Sequence, residues 1–227
     1  MTFWLSALIS VFAGISAITG VIVLECFFRE KLKDLFDDSN YFIFFFLVFG
    51  YVLYSLGEVS YFLGNTIFAG RTAAGIEDLY WTAGMVIIFI SFFGLLLLQA
   101  KKSQQSYKII YMLSIGAVLA LISYLIVDSS QFNFFNHFYL IMSCVLVSVS
   151  SVSVFYSKSL GAVARPLRFF SIASVIFLIS QIMFELEIIN VSTTFEMSFE
   201  VLYLFGYVFS TLAFITFKSK LISLSNR

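Results

Sequence analysis

Residues 41–63 form an uninterrupted apolar run, YFIFFFLVFGYVLYSLGEVSYFL, in which Glu58 is the only charged residue. About 20 consecutive apolar residues in a helix are enough to cross the hydrocarbon core of a bilayer. A soluble protein would have to bury every side of such a helix, and a chain with 61% hydrophobic and 11% charged residues has too little polar surface to do so. The run therefore predicts a transmembrane helix.

The rest of the sequence contains six further apolar runs of this kind, one before residues 41–63 and five after them. Together the seven runs cover about residues 3–28, 41–63, 78–100, 107–127, 134–157, 168–189 and 197–217. The segments between them are short, so consecutive helices are expected to be antiparallel neighbours. The sequence predicts an all-α, polytopic membrane protein with seven transmembrane helices in a single domain, surrounded by a lipid bilayer.

Lysine and arginine are distributed unevenly between the two ends of these helices. Of the 13 basic residues, Arg71 alone is predicted on one side of the membrane. The other twelve are predicted on the opposite side: Arg29, Lys31, Lys33, Lys101, Lys102, Lys108, Lys158, Arg165, Arg168, Lys218, Lys220 and Arg227. Cytoplasmic segments retain positive charge during insertion, so we expect an external N-terminus and a cytoplasmic C-terminus in the plasma membrane. The net charge is zero, and no nucleic-acid partner is expected.

A short acidic pattern occurs twice along the chain. Glu58 is followed by residues 78–84 (DLYWTAG), and Glu185 is followed by residues 200–206 (EVLYLFG). Each copy has an acid and then acid-x-x-aromatic-x-x-Gly. The pattern predicts a parallel duplication, with one repeat at about 3–100, a linker helix at about 107–127 and a second repeat at about 134–217.

Four of the predicted helices carry acids and aromatic residues towards the outer end. On the second helix, such residues follow each other at spacings of three and four, which places them on one face. The candidate ligand-binding residues are Glu58, Asp78, Trp81, Glu185, Glu200, Tyr54, Tyr61, Tyr203 and Tyr207. An acidic side chain at the centre of a transmembrane helix costs about 2.5–3.5 kcal/mol, so these acids are expected to face the bundle interior. The pattern predicts an outward-facing pocket for a cation or a small amphiphile.

Some of the acids have a simpler explanation. The interpretation as hydrated helix ends is preferred for Glu77, Asp128, Glu187 and Glu196. Asp78 and Glu200 are predicted in first turns, where the helix dipole favours a carboxylate. Glu58 and Glu185 lie about a turn inside their spans. We expect these two to face each other, with at least one of them holding a proton or a cation near neutral pH.

No residue is assigned a catalytic role. A retinal Schiff base is excluded because no lysine lies in the interior of a predicted span, and no cofactor is expected. Metal-binding spacing is absent around His137, and the identity of any metal ligand stays open. The serines of residues 148–153 are expected to pack as small residues. Residues 190–192 (NVS) match an N-glycosylation acceptor at Asn190.

Glu58 together with residues 78–85 (DLYWTAGM) resembles a stretch of the seven- or eight-helix sensory domains that precede histidine kinases in prokaryotes, especially archaea. This resemblance implies a membrane sensor that signals to a cytoplasmic protein. No kinase portion is present in the sequence, and residues 74–77 (AGIE) replace the proline-serine that usually precedes the aspartate. Residues 55–58 (SLGE) are also similar to the Gly-Asp segment of lysoplasmalogenase-like membrane hydrolases.

Four functions are compatible with the predicted pocket and topology. The leading interpretation is a sensory or ligand-binding module that signals to a cytoplasmic partner. A small transporter or channel would use the same pocket as a site along a path for a cation or polar solute. An intramembrane hydrolase would need Glu58 and Glu185 to hold one water molecule between them. A structural subunit of a larger assembly would need no pocket.

Overall fold

A computed structural model describes the chain over residues 3–28, 39–67, 75–103, 106–126, 134–190 and 193–225. Within these ranges the chain is helical and contains no strand. Seven of the helices there are long and apolar enough to cross a membrane. They are α1 (Phe3–Phe28), α2 (Ser39–Ile67), α3 (Ile76–Ser103), α4 (Ser106–Ile126), α5 (Phe134–Ser150), α6 (Ala164–Asn190) and α7 (Thr193–Ser225). The predicted all-α, polytopic membrane fold is confirmed.

Four helices extend beyond the apolar runs that predicted them: α2, α3, α6 and α7. α3 continues to Ser103, into the segment expected to be a loop, and α7 begins at Thr193 instead of about residue 197. A helix does not have to end where its apolar residues end, because a polar turn outside the hydrocarbon core can be solvated by water and lipid headgroups. Threonine is also a favoured residue at helix starts. The early start of α7 changes the position of Glu200 within the helix.

The segment between α5 and α6 is broken helix, where the sequence predicted one helix to residue 157 and then a loop. It contains two short helical turns, Val152–Phe155 and Ser157–Leu160, and a 3-10 turn, Gly161–Val163. Serine hydroxyls compete for the backbone here: Ser151 donates to the carbonyl of Ser148, and Ser171 of α6 donates to the carbonyl of Ser150 at 2.6 Å. Such bonds disturb helical geometry, so these serines do more than fill space.

Six helices form a closed ring. α2 packs on α3 and α6 packs on α7 through the largest interfaces, while α1 lies against α2 and α7, and α5 lies against α3 and α6. α4 stands outside this ring and packs mainly on α5. Its outward face exposes large apolar side chains, including Ile110, Leu121 and Leu125. In a bilayer these side chains contact lipid tails, which are as apolar as they are.

α2 and α3 approach each other closely. A Cβ atom at Gly84 would stand 2.9 Å from the carbonyl oxygen of Gly50 and 2.9 Å from the backbone nitrogen of Tyr54. A Cβ atom at Gly57, two turns further along α2, would clash with the ring of Trp81. Glycine therefore lets α3 press against α2 and brings Trp81 next to Glu58.

Aromatic rings fill the centre of the ring of helices. Phe170 of α6 and Phe214 of α7 are fully buried and meet edge to face, with their centroids 4.9 Å apart. Tyr51 of α2 contacts both of them, at 5.4 and 5.5 Å. This packing holds α2, α6 and α7 together below the acidic residues and fixes the distance across which their side chains meet.

Candidate functional site

Glu58 lies inside the bundle and joins three helices. Its side chain is 8% exposed, and its Oε1 atom accepts a hydrogen bond from the Tyr207 hydroxyl of α7 at 2.7 Å. The backbone carbonyl of Glu58 accepts a hydrogen bond from Ser10 Oγ of α1 at 3.0 Å. The α2–α7 contact spans 149 residues of sequence. A carboxylate bonded in this way is stabilised by a charge-assisted hydrogen bond in surroundings of low dielectric constant.

Aromatic side chains enclose the Glu58–Tyr207 bond. Tyr207 is fully buried, with its ring 6.1 Å from that of Tyr54 and 5.1 Å from that of Phe177. Trp81 lies beside the Glu58 carboxylate, with its indole nitrogen buried and outside hydrogen-bonding geometry. Because these rings exclude water, the cost of a charge on Glu58 is high compared with that at a hydrated helix end.

Glu185 lies in a second hydrogen-bonded group, between α6 and α7. It is 5% exposed, and its Oε1 atom accepts a hydrogen bond from Gln181 Nε2 at 3.2 Å. The other end of that amide, Gln181 Oε1, accepts a hydrogen bond from the Tyr203 hydroxyl at 2.7 Å. Gln181 therefore makes hydrogen bonds both to a tyrosine of α7 and to a carboxyl group of α6.

The two groups meet at Phe177 of α6. Tyr203 and Tyr207 both pack against its ring, at 5.9 and 5.1 Å between centroids. Each of the two acids is buried and has its own hydrogen-bond donor. We call the set of Glu58, Tyr207, Glu185, Gln181 and Tyr203 the carboxyl cluster.

Asp78 has a structural role at the start of α3. Its Oδ2 atom accepts a hydrogen bond from the backbone N–H of Gly75 at 2.9 Å, while its own N–H donates to the Gly75 carbonyl. This reciprocal pair caps the helix. Its Oδ1 atom accepts a hydrogen bond from the Tyr139 hydroxyl of α5 at 2.8 Å. The predicted first-turn position of Asp78 is confirmed, while its capping bond and its link to Tyr139 of α5 were not predicted.

Two acids lie deeper than the sequence suggested. Glu200 is 0% exposed, and since α7 starts at Thr193 it lies about two turns inside the helix, so the expected first-turn position was wrong. Glu77 is 4% exposed, with its carboxyl group folded back over Gly75, so the expected hydrated position was wrong as well. Both errors come from taking the edge of an apolar run as the edge of the hydrated region.

The remaining aromatic candidates, Tyr61 and Trp81, pack on each other. Tyr61 packs on Trp81 at 5.4 Å between centroids, and Trp81 also meets Tyr139 edge to face at 6.1 Å. Tyr139 and Ser10 were not selected from the sequence. A single hydroxyl in an apolar run is common, and only its position opposite an acid on another helix distinguishes it. Asp128, Arg71 and the side chains of Glu187, Asn190 and Glu196 lie outside the described residues.

Among the described residues, no group of three or more His, Cys, Asp or Glu side chains is placed to hold a metal ion. Comparisons with protein-family models, with curated proteins and with solved structures found no match for this chain. The carboxyl cluster is therefore the feature of the molecule from which a function can be inferred.

Proposed function

We propose that this chain is a membrane-embedded sensory module in which the carboxyl cluster takes up a proton or a small cation and thereby changes how α2 and α6 pack against α7. The observation that carries this proposal is the buried bond from Tyr207 to Glu58. It makes the strength of an inter-helix contact depend on the charge of one carboxyl group.

The free energy of burial supports uptake of positive charge. A buried ion loses several kcal/mol of hydration, and one tyrosine donor replaces only part of that. A proton or a bound cation removes this cost. When Glu58 becomes neutral, its bond with Tyr207 is no longer charge-assisted and weakens by about half, so α7 is held less firmly to α2.

The proposed ligand is small because the cluster is densely packed. The aromatic rings of Tyr54, Phe177 and Trp81 occupy the space around Glu58. This packing favours a proton or an inorganic cation over the amphiphile that the sequence also suggested.

Signalling to a cytoplasmic protein completes the proposal. The bias of lysine and arginine supports an external N-terminus and a cytoplasmic C-terminus, which places the carboxyl cluster in the outer half of the bilayer. The packing also supports the proposed repeat: α1 lies against α2 and α7 in the way that α5 lies against α6 and α3. Repeats at about 3–100 and 134–217 would then be related by a rotation about the membrane normal.

A transporter is the second candidate, favoured by one further contact. The Ser210 hydroxyl of α7 lies 2.9 Å from the Tyr51 hydroxyl, two turns along α2 from Glu58 towards the middle of the helix. Polar groups therefore continue from the carboxyl cluster into the membrane. Cation or proton flux in liposomes would distinguish transport from sensing. The hydrolase alternative has no comparable support, since the carboxyl groups of Glu58 and Glu185 have hydrogen-bond donors from protein side chains.

Trp81 can report the uptake of a proton or a cation at Glu58 through its fluorescence. It lies beside Glu58 and is one of only two tryptophans in the sequence. The other, Trp4, is 77% exposed on α1 and is replaced by phenylalanine to leave a single reporter. We expect the Trp81 fluorescence of this variant in lipid nanodiscs to change with pH or with added sodium, because the charge beside the indole changes.

Glu58→Gln should abolish this change, while Glu25→Gln, at an exposed position of α1, should leave it intact. Titratable groups near Glu58 include Tyr54 of α2 and Tyr203 and Tyr207 of α7. Glu185 of α6 shares Gln181 with Tyr203, and Tyr139 of α5, which binds Asp78 of α3, packs on Trp81. A response that persists in Glu58→Gln would assign the uptake to one of these groups and contradict the proposal for Glu58.

A further inference from the structure

Two hydrogen-bond donors approach the carboxyl group of Glu58 from two other helices. The Tyr207 hydroxyl of α7 donates to Oε1 at 2.7 Å. The indole N–H of Trp81 on α3 lies beside the same carboxyl group, and its nitrogen is buried without a hydrogen-bond partner among the described residues. Glu58 is therefore flanked by groups that present hydrogen atoms.

The packing around Trp81 holds its indole in this position. The ring lies against the α2 backbone at Gly57, the residue before Glu58, where a Cβ atom would clash with it. Tyr61 of α2 and Tyr139 of α5 pack on the same ring, at 5.4 and 6.1 Å between centroids. The indole is thus fixed from three helices.

These donors distinguish between the two ligands that the proposed function allows. An indole nitrogen donates a hydrogen bond and cannot coordinate a cation. Inorganic cations such as Ca²⁺ take about six to eight oxygen ligands, and Mg²⁺ requires near-ideal octahedral geometry. At Glu58 such an ion would meet the positive end of the indole N–H dipole and would compete with the Tyr207 hydrogen for Oε1. A proton needs only one lone pair of a carboxylate oxygen.

A proton also leaves the packing of this contact in place. A neutral carboxyl group has one O–H donor, and a tyrosine hydroxyl can either donate or accept. When a proton from water binds a lone pair of the carboxylate, the new O–H group can donate to the Tyr207 oxygen, and no covalent bond of the protein breaks. Uptake of a proton therefore requires no space for an ion between α2 and α7.

We propose that the ligand of the carboxyl cluster is a proton, and that the donors of Trp81 and Tyr207 exclude inorganic cations from Glu58. This inference rests on the proposed function and narrows its ligand from two classes to one. Trp81 is then a specificity-determining residue, because it presents a hydrogen atom where a cation would need a lone pair.

Other titratable groups lie on the helices packed around Glu58 and Trp81. They are Tyr54 and Tyr61 of α2, Glu77 and Asp78 of α3, His137 and Tyr139 of α5, Glu185 of α6, and Glu200, Tyr203 and Tyr207 of α7. On α1, which contacts Glu58 through Ser10, the described acid is Glu25, about four turns away. Comparison of the unsubstituted protein with Glu58→Gln separates Glu58 from these groups.

Infrared difference spectroscopy in nanodiscs tests the proposal, because the carbonyl stretching band of a protonated carboxyl group reports the proton directly. Between alkaline and acidic pH, we expect such a band to appear in the unsubstituted protein and to be missing in Glu58→Gln. At a fixed alkaline pH, replacing choline chloride by sodium or calcium chloride at equal ionic strength should leave the carboxylate bands of Glu58 unchanged. The midpoint of the pH titration should be the same in all three salts.

Competition by a cation would give a different result. An ion that binds at Glu58 displaces the proton, so each tenfold increase in sodium or calcium would lower the midpoint by up to about one pH unit. That shift would overturn the assignment to a proton and leave the proposed uptake of positive charge intact. Absence of both the Glu58 band and any cation effect would overturn the assignment together with the proposed function.

Trp81→Phe tests the role of the indole N–H, with Trp4→Phe at an exposed position of α1 as the matched control. Removing a donor beside the carboxylate destabilises its charged form, so we expect the midpoint of the Glu58 band to rise by about one pH unit. Trp4→Phe should leave the midpoint unchanged. An unchanged midpoint in Trp81→Phe would mean that the indole contributes packing alone, and would contradict its role in specificity.

Discussion

At the scale of single residues, the Glu58–Tyr207 pair is the contact most sensitive to charge. Both residues are buried, and the hydroxyl donates to the carboxylate at 2.7 Å. The sequence predicted both as site residues because an acid and aromatic residues recur at helical spacing. It could not predict that they bond to each other, because helical periodicity within one segment contains no information on which residue of another helix lies opposite.

Tyr207→Phe tests the energy of this pair. Removing the hydroxyl leaves the Glu58 carboxyl group buried without that donor, which we expect to lower the free energy of unfolding by about 1–3 kcal/mol. Glu58→Gln removes the charge, so the additional effect of Tyr207→Phe in that background should be smaller. Unfolding of the four proteins in a double-mutant cycle measures the difference.

Tyr124→Phe is the matched control, because Tyr124 is 65% exposed on the lipid-facing side of α4. Its effect should be close to zero. Strictly additive effects of Tyr207→Phe and Glu58→Gln would mean that the two side chains do not stabilise the fold through their mutual contact.

At the scale of helices, glycine spacing positions the site. α3 approaches α2 closely at Gly50 and Gly57 of α2 and at Gly84 of α3. The break after α5 was missed, because serines are compatible with a continuous helix unless their hydroxyls bond to nearby carbonyls. Such bonds depend on α6, in which Ser171 reaches the carbonyl of Ser150.

Gly84→Ala should destabilise the fold, since its Cβ atom would stand 2.9 Å from backbone atoms of α2 that cannot rotate away. Overpacking of this kind costs about 1–3 kcal/mol. The matched control on the same helix is Gly94→Ala, in which the added atom meets Ile43 Cγ1 at an ordinary 3.6 Å. Gly94→Ala should be neutral or stabilising, by up to about 1 kcal/mol of helix propensity. Equal unfolding temperatures of the two variants would contradict the close α2–α3 contact.

At the scale of the whole molecule, the ring of six helices explains how one carboxyl group can influence the entire bundle. α7 contacts α1 and α6 directly and reaches α2 through the Glu58–Tyr207 bond and through Phe214, whose ring packs on Phe44 and Tyr51. The number of helices followed from apolar composition alone. The order of the helices around the ring could not be predicted in this way. Seven apolar helices with short connections can pack into several different bundles, and the side-chain contacts select among them.

A distance measurement between α2 and α7 tests the central proposal most directly. Spin labels at Leu56 of α2 and Val201 of α7, both on exposed faces, report the separation of these helices in a background without Cys26 and Cys144. We predict that the distance distribution in nanodiscs shifts between alkaline and acidic pH, or on addition of sodium, and that Glu58→Gln removes the shift. A distribution that is the same under all these conditions, or a shift that Glu58→Gln leaves intact, would contradict control of the α2–α7 contact by Glu58.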